Sequence, residues 1–129
     1  MKALLILLIL LTGQSVENSI DNGESTRYII IEAPCKTGFN ALPDYQEKVI
    51  LTKVFKVTFE NSAELINAEP ELISDFEVAL EKAYPDSRNQ VKDILVYMIT
   101  TEDEAKALYK RKLDQFKTLK TGIIELKLR

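Results

Sequence analysis

The sequence predicts an α+β domain: a two-layer sandwich with a four-stranded mixed sheet, elements in the order ββαβαβ, and both helices on one face. Three observations lead to this prediction. Segments with the two-residue period of strands alternate with segments that repeat every 3.6 residues, as helices do. Both helical segments lie between strands, which favours parallel pairing through right-handed crossovers. Two of the strands alternate apolar and charged residues, so the sheet is expected to have one uncovered face.

The first two predicted strands differ in pattern. Residues 27–36 are rich in β-branched side chains and include Pro34, which is typical of a strand that ends early or lies at an edge. Residues 48–60 place apolar side chains on one face of the strand and a mixture of apolar, polar and charged side chains on the other. This segment is therefore expected to have one face in the core.

The last two predicted strands also differ from each other. Residues 91–99 are apolar on both faces apart from Lys92 and Asp93, which predicts a central strand covered on both sides. Residues 124–128 alternate apolar and charged side chains and are expected to close the sheet.

Two segments have the pattern of amphipathic helices. Each opens with a capping box, in which a side-chain oxygen and a glutamate three residues later bind the first backbone N–H groups. The pairs are Asn61 with Glu64 and Thr101 with Glu104. Pro70 must kink or restart the first helix because it has no N–H to donate, and Gly122 is placed to end the second. If the strands around these helices lie side by side in chain order, right-handed crossovers put both helices on the same face.

The N-terminus has the features of a bacterial export signal. Lys2 precedes the apolar run of residues 3–11, which is too short to span a bilayer as a helix. Small residues at Gly13 and Ser15 predict cleavage after Ser15, and the alternatives are a cut one residue away or one set by Gly23 and Ser25. We therefore expect a signal peptide at residues 1–15 and a mature protein that is periplasmic or secreted.

The mature chain is expected to begin with a flexible leader at residues 16–26, followed by a single α+β domain at residues 27–129. Gln14 occupies the position of the lipidated cysteine in a bacterial lipoprotein box, so no stable membrane anchor is expected. Two alternatives stay open. The signal could remain uncleaved and tether the chain to the membrane, or the N-terminal segment could belong to a cytosolic fold.

Composition argues against several classes of function. The net charge of −3 argues against nucleic-acid binding, which needs a basic surplus. The chain has no tryptophan and no histidine, and histidine is the usual general base and the commonest zinc ligand. We predict no metal, no cofactor and no catalytic residue, and the favoured function is non-enzymatic.

A small hydrolase or thiol enzyme that uses the Cys35–Glu47 loop is one alternative. Cys35 is the sole cysteine and a candidate nucleophile, but only Lys36 is near enough in sequence to lower its pKa. Asp44 and Glu47 form a carboxylate pair that could in principle cleave glycosides. A buried and inert thiol is the competing interpretation of Cys35.

The favoured hypothesis is an exported domain that binds a protein or a cell-envelope partner. Its binding surface would be the uncovered face of the sheet or the Cys35–Glu47 loop. The residues expected to make the contact are Ile50, Val54, Val96, Met98 and Ile123 in the sheet, and Phe39 and Tyr45 in the loop. A homodimer through the open sheet face is a related prediction. In the competing interpretation, residues 16–47 fold back and cover that face.

A third hypothesis starts from the charges of the two helices. The first helix is acidic, whereas the second carries a basic stripe of Lys106, Lys110 and Lys117. Such a stripe would attract an anionic envelope polymer. In the competing interpretation, the two helices are neighbours and their opposite charges attract each other modestly.

The stretch from Ile94 to Leu128 resembles the second half of the sporulation-related repeat domains, which bind peptidoglycan. The resemblance includes the segment Thr-Thr-Glu-Asp-Glu-Ala-Lys-Ala-Leu and covers about a quarter of the chain. Those domains have two strands between their helices, where this sequence predicts one. Membership is therefore not inferred, and no binding residue is carried over.

Overall fold

The computed structural model describes residues 23–128. The strands are β1 (Ser25–Pro34), β2 (Lys48–Thr52), β3 (Phe55–Phe59), β4 (Leu95–Ile99) and β5 (Gly122–Leu126). The helices are α1 (Ser62–Ile66), α2 (Ala68–Ala83) and α3 (Glu102–Thr118), and a short 3-10 turn, Arg88–Gln90, precedes β4. The predicted signal peptide and most of the predicted leader lie outside the described residues.

The described residues divide into two compact units. One contains residues 23–25 and Thr58–Asn67, and the other contains Thr26–Val57 and residues 68–128. In the smaller unit, the Asn61 side chain accepts a hydrogen bond from the backbone N–H of Glu64 at 2.9 Å and so caps α1 as predicted.

The sheet is mixed, and β1 lies in its interior. Glu32 of β1 is in register with Leu51 of β2 and also with Leu95 of β4, both antiparallel, so β2 and β4 must flank β1 on opposite edges. β5 pairs in parallel with the far edge of β2, and β3 lies beside β1. The predicted α+β class with a mixed sheet is confirmed. The single strand expected at residues 48–60 is interrupted, giving β2 and β3.

The positions of two strands differ from expectation. β1 is central, and its residues Ile29–Ile31 are fully buried, so of the two expectations from Pro34 the strand does end early but does not lie at an edge. β4 pairs only with β1 among the described strands, so the apolar segment expected in the centre lies at an edge. Pro34 is compatible with the interior position of β1 because it is the last residue of the strand.

The two long helices pack on opposite faces of the sheet. The α3 residue Phe116 forms one cluster with Ile30, Val49 and Leu51. The neighbouring residues Ile31 and Ile50 point to the other face, because side chains alternate along a strand, and both are fully buried. The buried residues of α2 are Ala68, Leu72, Phe76 and Leu80. None of them belongs to the α3 cluster, and α2 contacts both β4 and β5. Thus α2 covers the second face.

The predicted placement of both helices on one face is therefore corrected. That expectation assumed that the last three strands follow one another across the sheet in chain order. Instead β4 and β5 lie at opposite edges, so the chain crosses the sheet in one direction through α2 and returns through α3. Right-handed crossovers that run in opposite directions place their helices on opposite faces.

Local signals set the ends of the two long helices. The Thr101 side chain accepts a hydrogen bond from the backbone N–H of Glu104 at 3.2 Å, as the capping box predicted. Pro70 lies in the first turn of α2, where a missing N–H costs no helical hydrogen bond. Within residues 23–128, no helix is long and apolar enough to cross a membrane.

Candidate functional site

The loop that joins β1 to β2 is held in place from its first residues. The Cys35 N–H donates to the carbonyl of Lys48 at 2.9 Å, and the Lys48 ammonium donates to the carbonyl of Phe39 at 2.6 Å. The Phe39 ring is buried and meets the Tyr84 ring edge to face, with 5.5 Å between centroids. These contacts within the chain hold the first half of the loop in one conformation.

The second half of the loop packs against the beginning of β5. The Gly122 N–H donates to the carbonyl of Glu47 at 2.8 Å. The Tyr45 ring lies so close to Gly122 that a Cβ there would come within 2.7 Å of the ring carbon Cγ. Gly122 is thus needed for close approach, and Tyr45 remains 44% exposed above it.

A groove of about 900 Å³ lies between this part of the loop and the end of α3. Its lining combines apolar side chains with charges of both signs. The lining residues are Asp44, Tyr45, Gln46, Glu47, Leu113, Lys117, Leu119, Lys120, Thr121 and Ile123. Leu119 is 62% exposed, so it offers apolar surface to the groove.

The turn after α3 gives the groove one of its walls. Leu119 caps the helix, and Lys120 adopts a left-handed backbone with a φ of 58°. The Thr121 N–H then donates to the carbonyl of Phe116 at 2.8 Å. The residue that ends the helix in the left-handed conformation is therefore Lys120 rather than the predicted Gly122, which begins β5.

The structure brings together two site residues that were predicted on separate grounds. Tyr45, chosen as a loop aromatic, and Lys117, chosen from the basic stripe, line the same groove. Lys110 is exposed on α3, and Lys106 forms an exposed ion pair with Glu102 at 3.4 Å. Phe39 faces inward and supports the loop, so it does not line the groove.

The five sheet residues that were expected on one open face do not share a surface. Ile50 is fully buried, whereas Ile123 and Val54 pack on the other face with the α3 cluster. Val96 and Met98 are half-buried and lie in register with Ile31 and Ile29. In the sheet formed by residues 23–128, a helix covers each face, so these five residues do not form the predicted open face.

The geometry around Cys35 does not suit nucleophilic chemistry. Burial raises the pKa of the thiol to about 11, although Lys48 and Lys92 act in the opposite direction. A thiol with this pKa is almost entirely protonated at neutral pH, and only the thiolate attacks. Among residues 23–128, no cluster of three or more suitable side chains could hold a metal ion.

A buried charged cluster links α3 to the sheet, and the sequence analysis missed it. The Lys112 ammonium lies 2.7 Å from a carboxylate oxygen of Glu32 and donates to the Tyr97 hydroxyl at 2.9 Å. Burial disfavours the charge on Lys112, but the hydrogen bonds to Glu32 and Tyr97 outweigh it and raise its pKa above 10.5. The signal that could have found it is Glu32 itself, a lone acid within an apolar strand.

Comparison with known proteins adds no assignment. No protein-family model matches the chain, and neither a curated protein nor a solved structure does.

Proposed function

We propose that this chain is an exported, non-enzymatic binding domain that holds a segment of a protein partner in the groove between residues 44–47 and the end of α3. Export rests on the signal-like features of residues 1–15. The groove is the single observation that carries the proposed binding function.

The groove has the properties that partner binding requires. Leu119 and Tyr45 expose apolar surface in its lining, and removing such surface from water favours binding. Because the loop is already tied to β2 and β5, little conformational entropy would be lost on binding.

The charges of the groove favour a protein partner over an anionic polymer. Lys117 and Lys120 would attract a polyanion, but Asp44 and Glu47 line the same groove and would repel it. A polypeptide can match both signs and can also cover the apolar surface of Leu119. The buried Cys35 thiol, whose pKa is raised, argues against a thiol enzyme. The hydrolase alternative keeps one supporting observation, because Asp44 and Glu47 both line the groove.

Photo-crosslinking tests this proposal. A photoreactive residue at position 119 should capture one defined protein from the native host, whereas the same residue at Val78 should not. Val78 is an equivalent control because its side chain is 56% exposed on α2. Capture of glycan that resists protease digestion would instead contradict the protein-partner proposal.

Substitutions then test whether the groove itself binds the captured protein. Leu119→Arg should weaken binding by about tenfold or more, as is typical when a central contact is lost, while Val78→Arg should leave affinity unchanged. Titration calorimetry with the purified partner measures both variants. Equal affinities for the two would overturn the assignment of the groove.

A further inference from the structure

A smaller cleft adjoins the groove on the α3 face of the sheet. It has a volume of about 340 Å³ and shares Glu47, Leu119 and Thr121 with the groove. Its other lining residues are Glu32, Pro34, Lys48, Val49 and Phe116. We call it the Glu32 cleft. A partner segment that lies in the groove can extend one side chain into it.

The charged groups of the Glu32 cleft are mainly carboxylates. Lys48 lines the cleft, but its ammonium is engaged elsewhere, because it donates to the carbonyl of Phe39 at 2.6 Å. Among residues 23–128, no other basic side chain lines the cleft. The charged side chains that remain are those of Glu32 and Glu47.

Glu32 offers a buried hydrogen-bond acceptor to the cleft, since its side chain is only 10% exposed. The Lys112 ammonium lies 2.7 Å from its Oε1, and the Tyr97 hydroxyl donates to the same oxygen at 3.4 Å. Neither contact uses Oε2, and a buried acceptor gains from a donor. Because Lys112 balances the charge of Glu32, the net negative charge of the cleft comes from the exposed Glu47.

We propose that the Glu32 cleft binds a basic side chain, arginine or lysine, of the partner segment held in the groove. The cationic group would donate to Oε2 of Glu32 and pair with Glu47, and its methylene stem would lie against Val49 and Phe116. Both basic side chains combine a charged head with an aliphatic stem in this way. This inference rests on the proposed function, since it names the chemistry of the segment that the groove holds.

Other side chains complement the cleft less well. A neutral apolar side chain would cover the buried Oε2 of Glu32 without donating to it, which is unfavourable. An acidic side chain would be repelled by Glu47.

NMR titration of the full chain with three small probes tests the proposal. Nα-acetylarginine amide and Nα-acetyllysine amide carry the basic side chains, and Nα-acetylcitrulline amide is a neutral isostere of the first. We expect the basic probes to shift the backbone amide signals of Val49, Leu119 and Thr121, with dissociation constants on the order of 1 mM for ligands of this size. The citrulline probe should bind about tenfold more weakly, because its head group has no charge.

Variants of the chain locate the binding site. Glu47→Gln should weaken binding of the arginine probe by about threefold, since an exposed carboxylate is lost. Glu71→Gln is the matched control and should leave binding unchanged, because Glu71 is an exposed acid on α2 at the opposite face. The double variant Glu32→Leu with Lys112→Met removes the buried acceptor without altering the net charge. It should weaken binding by about tenfold while its circular dichroism matches the native spectrum.

Three results would overturn this inference: no shift at the cleft in tens of millimolar of either basic probe, equal affinities for the arginine and citrulline probes, or equal affinities of the Glu47→Gln and Glu71→Gln chains. Failure of the proposed function is distinguishable. Binding of a basic probe in the cleft, without capture of a protein from position 119, would contradict the proposed function alone. Capture without probe binding would contradict this inference alone.

Discussion

At the scale of single residues, the pair formed by Glu32 and Lys112 is the most consequential contact in the described chain. Their side chains are only 10% and 15% exposed, so water screens the charges little. The Tyr97 hydroxyl and ring complete the site, with the Lys112 ammonium 4.6 Å from the ring centroid. The cluster joins β1, β4 and α3, and it therefore fixes how α3 lies on its face of the sheet.

We expect Glu32→Gln to lower the free energy of unfolding by about 3 kcal/mol, because it leaves the Lys112 charge buried without a counter-ion. Glu102→Gln is the matched control. It removes the partner of Lys106 from an exposed pair and should cost about 0.5 kcal/mol or less. Urea unfolding followed by circular dichroism measures both changes.

A third variant distinguishes an unpaired charge from a simple loss of packing. Replacing both partners, with Glu32→Leu and Lys112→Met, should recover much of the lost stability, since no buried charge remains. Equal costs for Glu32→Gln and Glu102→Gln would show that the buried pair does not anchor α3.

Residue types in the sequence indicate which side chains are suited to an exposed surface, but the fold decides where each side chain lies. Tyr45 and Lys117 were chosen as an exposed aromatic and an exposed base, and both line the groove. Phe39 was chosen for the same reason as Tyr45 but is buried against Tyr84. Nothing in the sequence pairs Glu32 with Lys112, because eighty residues separate them and only the fold brings them together.

At the scale of elements, the residues that end α3 form a tight turn and also line the groove. Lys120 holds a left-handed backbone that is unfavourable for any residue with a Cβ, while Gly122 lies in β5 without a positive φ. The glycine was expected at the helix end, but its position is explained by the Tyr45 ring packed over it. A glycine near a helix terminus can thus serve close packing rather than the turn.

Lys120→Gly is expected to raise the free energy of unfolding by about 0.5–1 kcal/mol, because glycine adopts the left-handed conformation without strain. The same substitution at Lys110, which is exposed in the interior of α3, should lower it by about 1 kcal/mol. Thermal unfolding of the two variants checks the opposite signs. A loss of stability in Lys120→Gly would mean that the lysine side chain contributes more than its backbone strain costs.

At the scale of the whole molecule, the sequence predicted the elements far better than their arrangement. Periodicity and capping boxes are local, and they located the strands and α3, while Pro70 indicated a break in the first helix, which restarts as α2 at Ala68. Strand order is non-local: β1 is inserted between β2 and β4, which no pattern within a single strand reports. The segment of β4 suggested a central strand because its residues are apolar on both faces, but this pattern reports what covers the faces of a strand and not whether a strand pairs at each edge.

The placement of α2 and α3 on opposite faces makes a prediction about energetic coupling. Ile30 and Phe116 belong to one cluster, so the costs of Ile30→Val and Phe116→Leu should be coupled by about 0.5 kcal/mol or more. Phe76 of α2 is fully buried but lies outside that cluster. Phe76→Leu should therefore be additive with Ile30→Val to within about 0.5 kcal/mol and should couple instead to Ile31→Val, whose side chain points to the α2 face.

Double-mutant cycles on the free energy of unfolding, measured with urea, decide between the two arrangements. Both helices on one face would couple Ile30 to Phe76 as well as to Phe116 and would leave Ile31 coupled to neither. Conservative truncations keep every variant folded, because each removes one methyl group or part of one ring. Since right-handed crossovers tie the faces of the helices to the order of the strands, the cycles also test whether β4 and β5 lie at opposite edges.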